Sequence, residues 1–244
     1  MAASIWFVSP AWRRYEVTRM VLAQRRHCMN VLERRGFETG SVIVADDDNL
    51  DIAREYGMDT VEHANIPLGR KTNAGLRYAG EQGADWIVYV GSDDWVHPDL
   101  FGAIPAEPQT RRTPEIITGR RIAIVDLITG RLTTFHAPGR YGVIPWIVPR
   151  AALEGCGFTP ITNSVRRGLD GSFVRGLAVR PEWRFEDPHP YCRVDFKTPM
   201  NLTSYETLRR ALGHQAEEDA WEALGRYYPA ELVELARKTQ VEVA

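Results

Sequence analysis

The chain begins with short apolar runs separated by segments in which apolar residues recur every three or four positions. The runs predict strands over residues 4–8, 41–45, 60–63 and 85–90. The periodic segments predict helices over residues 15–35 and 50–56 and, after the loop NIPLGRKTNAG, a helix that ends near residue 82. Strands that alternate with helices predict an α/β fold with a parallel sheet.

The pattern changes after Pro114. Residues 115–126 and 131–136 flank a four-residue turn and predict an antiparallel hairpin, and residues 141–148 predict a further strand before a short helix from Pro149. Helical periodicity returns over residues 203–212 and 217–239. We therefore predict one α/β domain over residues 1–198 and a small helical extension over residues 199–244 that packs on it.

Polar side chains follow three of the predicted strands. Ser9 and Pro10 follow the first strand, an aspartate triplet at 46–48 follows the second, and residues 92–94 follow the fourth. The carboxyl ends of parallel strands meet at one edge of a sheet, where ligands bind. We therefore expect a binding site at this edge.

The adjacent acids Asp93 and Asp94 repel each other unless a cation lies near them. One interpretation is a divalent metal bound by carboxylate oxygens. The other is a solvated loop in which one acid caps the next helix. The triplet is open in the same way: Asp48 is a candidate helix cap, and Asp46 or Asp47 is a candidate acceptor of hydrogen bonds from a base or ribose.

Three further segments carry candidate chemistry. Lys71 in LGRKTNAG is either a phosphate ligand near a helix N-terminus, where backbone N–H groups favour anions, or part of a plain surface loop. Asp170 lies between two glycines, and is either a general base in a cleft or the N-cap of a helix from Ser172. His189 is flanked by prolines, which stiffen its segment.

The composition is that of a globular protein: 244 residues, 44% hydrophobic and 25% charged. The net charge of −2 gives no overall basic field for nucleic acid or membrane. Three of the 30 basic residues are lysines, which leaves 27 arginines. This excess reflects either genome composition or arginine pairs that grip phosphates, as guanidinium groups do well. Candidate pairs are those at 13–14, 111–112, 120–121 and 166–167.

Cysteine usage and the N-terminal residues predict a reducing compartment. The three cysteines are far apart and form no CxxC pair, so we expect neither a disulfide framework nor a zinc site. The first residues lack signal-peptide features, and no apolar run approaches the about 18 residues that suggest a membrane span. We expect a cytoplasmic protein, located in the host cytoplasm if a phage encodes it.

Five segments, taken in order, resemble a family 2 glycosyltransferase of the GT-A fold, of the compact bacterial and phage type. They are SPAWRR, VIVADDDNLD, LGRKTNAGL, DWIVYVGSDDWVHPD and GFTPITNSVRRGLDGSF, and the resemblance covers residues 4 to 175. It implies a mixed, Rossmann-like sheet and a hexosyl- or pentosyltransferase. Such an enzyme moves a sugar from a nucleotide-diphosphate donor, with a UDP-sugar favoured, to a hydroxyl acceptor.

The same resemblance implies roles for individual residues. Asp93 and Asp94 hold Mn²⁺ or Mg²⁺ against the donor diphosphate, and His189 supplies a further metal ligand. Asp170 deprotonates the acceptor hydroxyl for in-line attack with inversion. The implied donor-binding residues are Ser9, Pro10, Asp46, Asp47, Lys71, Asn73, Ser92 and Asp93.

Two positions depart from the family pattern. Gly91 stands where the DxD motif of the family has its first acid, and Leu169 stands where a glutamate precedes the base. The first change removes one acidic ligand, and the second leaves Asp170 as the base candidate of its segment. In VDFKTPMN, the residues Asp195, Lys197 and Asn201 are candidates for closing the site, and nothing in the sequence selects among them.

Two other functions compete with this interpretation. A nucleotidyltransferase also uses carboxylates with Mg²⁺, but it opens with a glycine-rich loop where this chain reads SPAWRRYE. A non-catalytic domain that binds nucleotide-sugars is compatible with Gly91, whereas Asp93, Asp94 and Asp170 argue against it.

Two classes of acceptor fit the sequence. One is a hydroxymethylated pyrimidine in phage DNA, with the arginine pairs at 120–121 and 166–167 on the backbone and the base flipped out. The other is a glycan or its lipid-linked precursor, although the acidic segment over 217–238 offers no obvious basic surface for a membrane. We expect no integral membrane contact in either case.

Overall fold

The structure is a computed structural model that describes residues 2–105, 113–137, 139, 141–166, 169–201, 204–212 and 216–243. The arginine pair at 111–112 and Arg167 lie outside the described residues.

The strands of the described chain fall into two sheets. They are β1 (Ser4–Pro10), β2 (Glu38–Ala45), β3 (Asp59–Glu62), β4 (Trp86–Tyr89), β5 (Asp94–Val96), β6 (Glu115–Gly119), β7 (Arg121–Asp126), β8 (Arg131–His136), β9 (Val143–Pro149), β10 (Glu182–Phe185), β11 (Arg193–Lys197) and β12 (Glu217–Asp219).

The helices connect these strands and cover the larger sheet. They are α1 (Tyr15–Arg34), α2 (Asn49–Glu55), α3 (Leu68–Glu81), α4 (Arg150–Glu154), α5 (Leu169–Gly176), α6 (Tyr205–Leu212), α7 (Ala220–Gly225) and α8 (Ala230–Val243), with a 3₁₀ helix over Pro98–Ala103.

The larger sheet has seven strands in the order β10-β6-β9-β4-β1-β2-β3. β4, β1, β2 and β3 are parallel neighbours, whereas β9 runs antiparallel to both β4 and β6. The parallel half is the βα alternation that the apolar pattern predicts. The sheet is therefore mixed, and the prediction of an α/β fold is confirmed.

Alternate residues of the central strands pack on opposite faces of this sheet, as the two-residue period of a strand requires. Trp86 and Val88 of β4 pack with apolar residues of α1, α2 and the 3₁₀ helix. Ile87 and Tyr89 pack on the other face, with residues of α3, α4 and α5. Because helices cover both faces, these strands read as nearly continuous apolar runs.

The smaller sheet has five strands in the order β12-β8-β7-β11-β5. β7 and β8 form the predicted hairpin, with paired residues from Arg121↔His136 to Asp126↔Arg131. This sheet shares a core with α1, α7 and α8, in which Trp95 packs against Phe196 and Tyr228. The C-terminal helices therefore contact the α/β part of the chain directly.

Three expectations about local structure are wrong. Residues 115–126 form two strands in different sheets, because Asp187 accepts hydrogen bonds from the backbone N–H groups of Arg120 and Arg121 where the chain turns between them. Residues 217–219 form β12, paired with β8, and helix resumes only at Ala220, where Asp219 caps α7. Most of the predicted loop NIPLGRKTNAG is helical, since α3 begins at Leu68.

None of the helices that the structure describes combines the length and the apolar character that crossing a membrane demands.

Candidate functional site

The carboxyl ends of β1, β2 and β4 lie side by side at one edge of the larger sheet. A cavity of about 520 Å³ opens at this edge. The polar and charged residues that line it are Arg14, Asn65, Ser92, Asp93, Arg166, Lys197 and Asn201. The predicted convergence of the strand ends therefore gives a concave site of the size that small ligands occupy.

Asp93 lies on the wall of this cavity and is held by two side chains from distant parts of the chain. Arg14 donates from Nη1 to Asp93 Oδ2 at 2.8 Å and from Nη2 to the Ser92 hydroxyl at 3.0 Å. The amide of Asn201 donates to the same Asp93 oxygen at 2.5 Å. Asp93 does not cap a helix, because the next helix begins at Pro98 and is capped by His97.

Asp94 turns back toward the strand end and meets a third carboxylate. Its Oδ2 accepts a hydrogen bond of 2.8 Å from the backbone N–H of Gly91. In the antiparallel pair of β5 and β11, Asp94 lies opposite Asp195. Oxygen atoms of Asp93, Asp94 and Asp195 all lie within 4.8 Å of one another.

Burial and mutual repulsion shape the ionisation of this carboxylate cluster of Asp93, Asp94 and Asp195. Burial, Asp195 and Asp93 raise the pKa of Asp94 well above its usual range. Burial raises the pKa of Asp195 to about 6, with Lys197 opposing and Asp93 adding to the shift. Burial also opposes the ionised form of Asp93, but Arg14 and Lys197 outweigh it and hold that pKa below its usual value. Two of the three carboxylates are therefore harder to ionise than a free aspartate, and basic neighbours hold the third in its ionised form.

Lys197 and Asn201 approach the cluster from β11 and the turn that follows it. The Lys197 ammonium lies 2.6 Å from Asp195 Oδ2, and Asp195 Oδ1 is buried without a hydrogen-bond partner among the described residues. Asn201 is oriented by Thr198, whose N–H and hydroxyl donate to its amide oxygen at 2.8 and 2.9 Å. This turn fixes the amide that holds Asp93.

Ser9 lies beneath the cavity, where its side chain is completely buried. Its hydroxyl donates to Val90 O at 2.8 Å and accepts from Arg25 Nη2 at 2.8 Å. Ser9 therefore connects the ends of β1 and β4, and Pro10, the next residue, lines the cavity.

Lys71 and Asn73 are buried on α3, and neither side chain lies on a surface loop. Lys71 donates to Ala11 O at 2.5 Å and to Asn65 Oδ1 at 3.0 Å, and burial lowers its pKa to about 8. Asn73 exchanges hydrogen bonds with both backbone groups of Ile161 and donates to Asn163. Both side chains hold segments that border the site.

The aspartates after β2 differ in the use of their oxygens. Both oxygens of Asp47 are engaged, one by the N–H of Arg13 at 2.7 Å and the other by the N–H and the side-chain amide of Asn49. Asp46 is exposed and accepts from the N–H of Asn65 at 2.8 Å through Oδ2 alone. Asp48 precedes α2 but its side chain makes no capping hydrogen bond, so the cap interpretation is wrong.

Asp170 lies in the first turn of α5, directly after Leu169, which lines the cavity. The helix begins before Asp170, so this residue is not the N-cap of a helix from Ser172. Asp170 is exposed at the surface, and partial desolvation raises the pKa of its carboxyl group. Tyr89 lines the same cavity. Burial raises the pKa of Tyr89, and the negative charge of Asp170 raises it further.

The structure does not bring His189 to Asp93 and Asp94. Among the described residues, His189 lies instead with His97 and Asp99 in a second group of possible ligands. Its ring stacks on Tyr227 and meets His97 edge to face, both at 4.4 Å between centroids. Its Nδ1 accepts from the N–H of Tyr191, which places the proton of the neutral ring on Nε2. Burial, with His97, lowers the pKa of His189 to about 4.

Sequence reasoning assigned no role to four residues of the cavity: Trp12, Ile66, Tyr89 and Met200. It singled out Arg14 and Arg166 only as members of arginine pairs. Asp195, Lys197 and Asn201 were only candidates for closing the site. A signal for two of them was present. In VDFK, apolar and charged residues alternate, which is the pattern of a short strand with one face toward a core and the other toward polar groups. Val194 and Phe196 do lie in the core, and Asp195 and Lys197 reach the site.

Solved structures with similar architecture have low sequence identity to this chain. Residues 1–349 of TarS from S. aureus match 98% of this chain and 70% of that chain, at 12% identity and a TM-score of 0.58. A second S. aureus TarS structure matches 85% of this chain and 38% of that chain, at 13% identity and a TM-score of 0.54. This chain thus spans little more than a third of the longer protein.

The mannosyltransferase PcManGT from Pyrobaculum calidifontis, solved in complex with GDP-Man and Mn²⁺, matches 99% of this chain and 74% of that chain, at 11% identity and a TM-score of 0.50. No protein-family model matches the chain, and no curated protein matches its sequence. The shared architecture and the mixed sheet confirm the expectation from the sequence motifs: this chain has the GT-A fold.

Proposed function

We propose that this protein is a metal-dependent glycosyltransferase that moves a sugar from a nucleotide-diphosphate donor to a hydroxyl acceptor. The observation that carries the proposal is the carboxylate cluster of Asp93, Asp94 and Asp195 on the wall of the cavity at the strand ends. PcManGT, whose fold is similar, binds GDP-Man and Mn²⁺. We retain the expectation that the carrier is UDP.

The residues of the cluster fit a divalent metal. Carboxylate oxygens are the ligands that Mg²⁺ and Mn²⁺ prefer, and the unpartnered Oδ1 of Asp195 is available for one. At 4.8 Å, the upper limit for the separation of these oxygens, and at an effective dielectric constant of about 20, two ionised carboxylates repel each other by about 3 kcal/mol. A bound cation converts this repulsion into attraction.

Gly91 explains how the cluster forms without the first acid of a DxD motif. A Cβ atom at this position would lie 2.5 Å from Asp94 Oδ2 and 2.9 Å from Asp93 Oδ1. Glycine leaves this space to the two carboxylates. In our proposal, Asp195 supplies the third carboxylate that position 91 does not.

The donor is proposed to lie along the strand ends. Asp46 is better placed than Asp47 to accept a hydrogen bond from the nucleoside, because both oxygens of Asp47 are already engaged. Pro10 and Ser92 line the cavity and contact the donor directly in this arrangement. We assign Ser9, Lys71 and Asn73 to the support of these walls, because their side chains are completely buried.

Asp170 is proposed as the general base. In the transfer step, the acceptor oxygen forms a bond to the anomeric carbon, and the bond from that carbon to the diphosphate oxygen breaks with its electron pair on the diphosphate. The hydroxyl proton moves to the Asp170 carboxylate. A divalent metal held by Asp93, Asp94 and Asp195 would stabilise the charge that develops on the diphosphate. Attack from the face opposite the leaving group inverts the anomeric centre.

The rim of the cavity supports an acceptor with both an apolar face and an anionic group. Trp12, Ile66 and Met200 line the cavity although they are 41%, 59% and 54% exposed. Arg166 lines it as well. A hydroxymethylated pyrimidine in DNA has both features, and we propose it as the acceptor, with a lipid-linked glycan as the alternative. Mass spectrometry of each compound after incubation with enzyme and donor distinguishes the two.

The experiment that tests the donor site is thermal unfolding with a panel of nucleoside diphosphates, with and without Mn²⁺. A ligand that binds only the folded protein raises the Tm by mass action. We expect a rise that is larger with Mn²⁺ than without it, that is largest for one nucleotide, and whose Mn²⁺-dependent part is lost in Asp94→Ala. The matched control is Asp51→Asn, because Asp51 is exposed on α2 and forms a local ion pair with Arg54. No rise with any nucleotide in the presence of Mn²⁺ would contradict the proposal.

A further inference from the structure

Two basic side chains that line the cavity, Arg14 and Lys197, form ion pairs with the carboxylate cluster. Arg14 pairs with Asp93 at 2.8 Å, and Lys197 pairs with Asp195 at 2.6 Å. Both line the cavity, and their side chains are 16% and 11% exposed. They come from opposite ends of the chain, one at the start of α1 and the other at the end of β11.

A third cation lies underneath. Arg25 of α1 is 2% exposed, bonds to the Ser9 hydroxyl through Nη2, and interacts electrostatically with Asp94. Its Nη1 has no hydrogen-bond partner among the described residues. The three carboxylates of the cluster are thus matched by three basic groups of the protein. Without a ligand, the site has no surplus negative charge with which to attract a divalent cation.

We propose that Arg14 and Lys197 are the residues that bind the diphosphate of the donor, and that they hold the carboxylates of the cluster only while the donor is absent. This inference rests on the proposed function. When a nucleoside diphosphate binds, Arg14 and Lys197 pair with its phosphate oxygens instead of with the carboxylates. Asp93 and Asp195 are then released to bind the metal, so the site accepts metal and nucleotide together.

The geometry permits this exchange of partners. Arg14 has both terminal nitrogens directed to the cavity wall, on Asp93 and Ser92, and a guanidinium group binds phosphate in the same two-pronged manner as it binds a carboxylate. Asp93 keeps its bond from Asn201 when Arg14 moves. Lys197 is a flexible point charge with three donors, and its partner Asp195 has a second oxygen that is already free.

The loop that presents Arg14 is fixed. Arg13 and Arg14 both have left-handed backbone angles, with φ of 53° and 54°, which side chains other than glycine rarely adopt. Asp47 accepts from the N–H of Arg13, and Asn49 donates to its carbonyl, so both backbone groups of this residue are held. In the exchange, the side chain of Arg14 moves while its backbone stays in place.

The charge balance predicts a specific binding pattern in the wild-type protein. Mn²⁺ alone binds weakly, UDP or GDP binds measurably in EDTA, and each tightens the binding of the other at least tenfold, since coupling between two ligands is reciprocal. If Arg14 and Lys197 only stabilise the fold, UDP and GDP do not bind in EDTA.

The decisive variant is Lys197→Met, which keeps the length of the side chain and removes its charge. We expect two changes of opposite sign: UDP or GDP binds at least tenfold more weakly in EDTA, and Mn²⁺ alone binds at least fivefold more tightly. Isothermal titration calorimetry measures the first, and the electron paramagnetic resonance signal of free Mn²⁺ measures the second. Lys197→Arg keeps the charge and is expected to restore both values to within about threefold.

Two further variants complete the design. Lys238→Met is the matched control, because Lys238 is 68% exposed on α8 and its one ion pair with a described residue is with Glu234. Arg14→Asn repeats the test at the second cation, and asparagine tolerates the left-handed backbone at this position. It is expected to give the same two changes of opposite sign.

The outcomes separate this inference from the proposed function. If the variants weaken both ligands, or change neither, while the wild type binds nucleotide with Mn²⁺, the proposed function stands and the exchange of partners is overturned. If the wild type binds neither UDP nor GDP even with Mn²⁺, both proposals are overturned.

Discussion

Replacing Gly91 with alanine adds a single methyl group, and we predict that it weakens metal binding by about 10- to 100-fold. The backbone at Gly91 does not have a positive φ, so alanine fits it without strain. The new Cβ atom, however, would lie 2.5 Å from Asp94 Oδ2, and real Cβ atoms essentially never have contacts under 3.0 Å. The Asp94 carboxylate must therefore move by about 0.5 Å, the difference between these two distances.

This movement lengthens the 2.8 Å hydrogen bond from the Gly91 N–H to Asp94 and displaces one of the three carboxylates of the cluster. A hydrogen bond to a charged group contributes about 1.5–3 kcal/mol. Since 1.4 kcal/mol corresponds to a factor of ten in an equilibrium constant, the expected loss of metal affinity is about 10- to 100-fold. Gly91→Asp restores the acid of the family motif, but it meets the same steric conflict and is expected to bind metal no more tightly than the wild type.

The assay is titration of Mn²⁺ in the presence of saturating UDP or GDP, with free Mn²⁺ measured by electron paramagnetic resonance. Gly102→Ala is the control, because a Cβ atom there has none of the described residues within 4 Å. Wild-type affinity in Gly91→Ala, within about twofold, would refute the reasoning. Tighter binding by Gly91→Asp would refute it as well, because it would show that position 91 can hold a metal ligand.

Three further predictions concern the base and the buried polar residues of α3. Asp170→Asn should lower kcat by about 10²- to 10⁴-fold without changing the donor Kd. In the wild type, kcat should rise with pH through a pKa above the usual aspartate value. A kcat that does not depend on pH would contradict the assignment of Asp170 as the base. Because burial lowers the pKa of Lys71 from 10.5 to about 8, the unfolded chain binds more protons between these pH values. In the wild type, the unfolding free energy should therefore rise by up to about 3 kcal/mol as the pH increases over this range. Lys71→Met should abolish this rise, and urea unfolding of both proteins measures the difference. Asn73→Ala removes three hydrogen bonds to residues 161–163, and should lower the unfolding free energy by about 2–4 kcal/mol; an unchanged urea midpoint would show that these bonds stabilise nothing.

The parallel half of the fold was predictable because its strands are buried on both faces and its helices carry regular apolar stripes. The short strands were not. β5 has three residues and β11 has five, and their pairing depends on partners about a hundred positions apart, such as Asp94 and Asp195. A local pattern in either segment carries no information about that partner, so Asp195 was visible only as one of three candidates for closing the site.

The same limit applies to the buried polar residues. Lys71 and Asn73 were recognised as special, but their partners, Ala11 and Ile161, are 60 and 88 residues away. The sequence therefore indicated that these side chains matter near the site without showing that they are buried beneath its walls. His189 illustrates the reverse case: the flanking prolines fix its segment, but the structure packs it against His97 and Tyr227.

The measurement that tests the central claim most directly is a crystal structure of the protein with Mn²⁺ and a nucleoside diphosphate, with the metal located by its anomalous scattering. The account predicts one strong peak among the carboxylates of Asp93, Asp94 and Asp195, with the diphosphate on Arg14 and Lys197. A peak at His97, Asp99 and His189 instead, or a nucleotide bound without metal at the cluster, would contradict it.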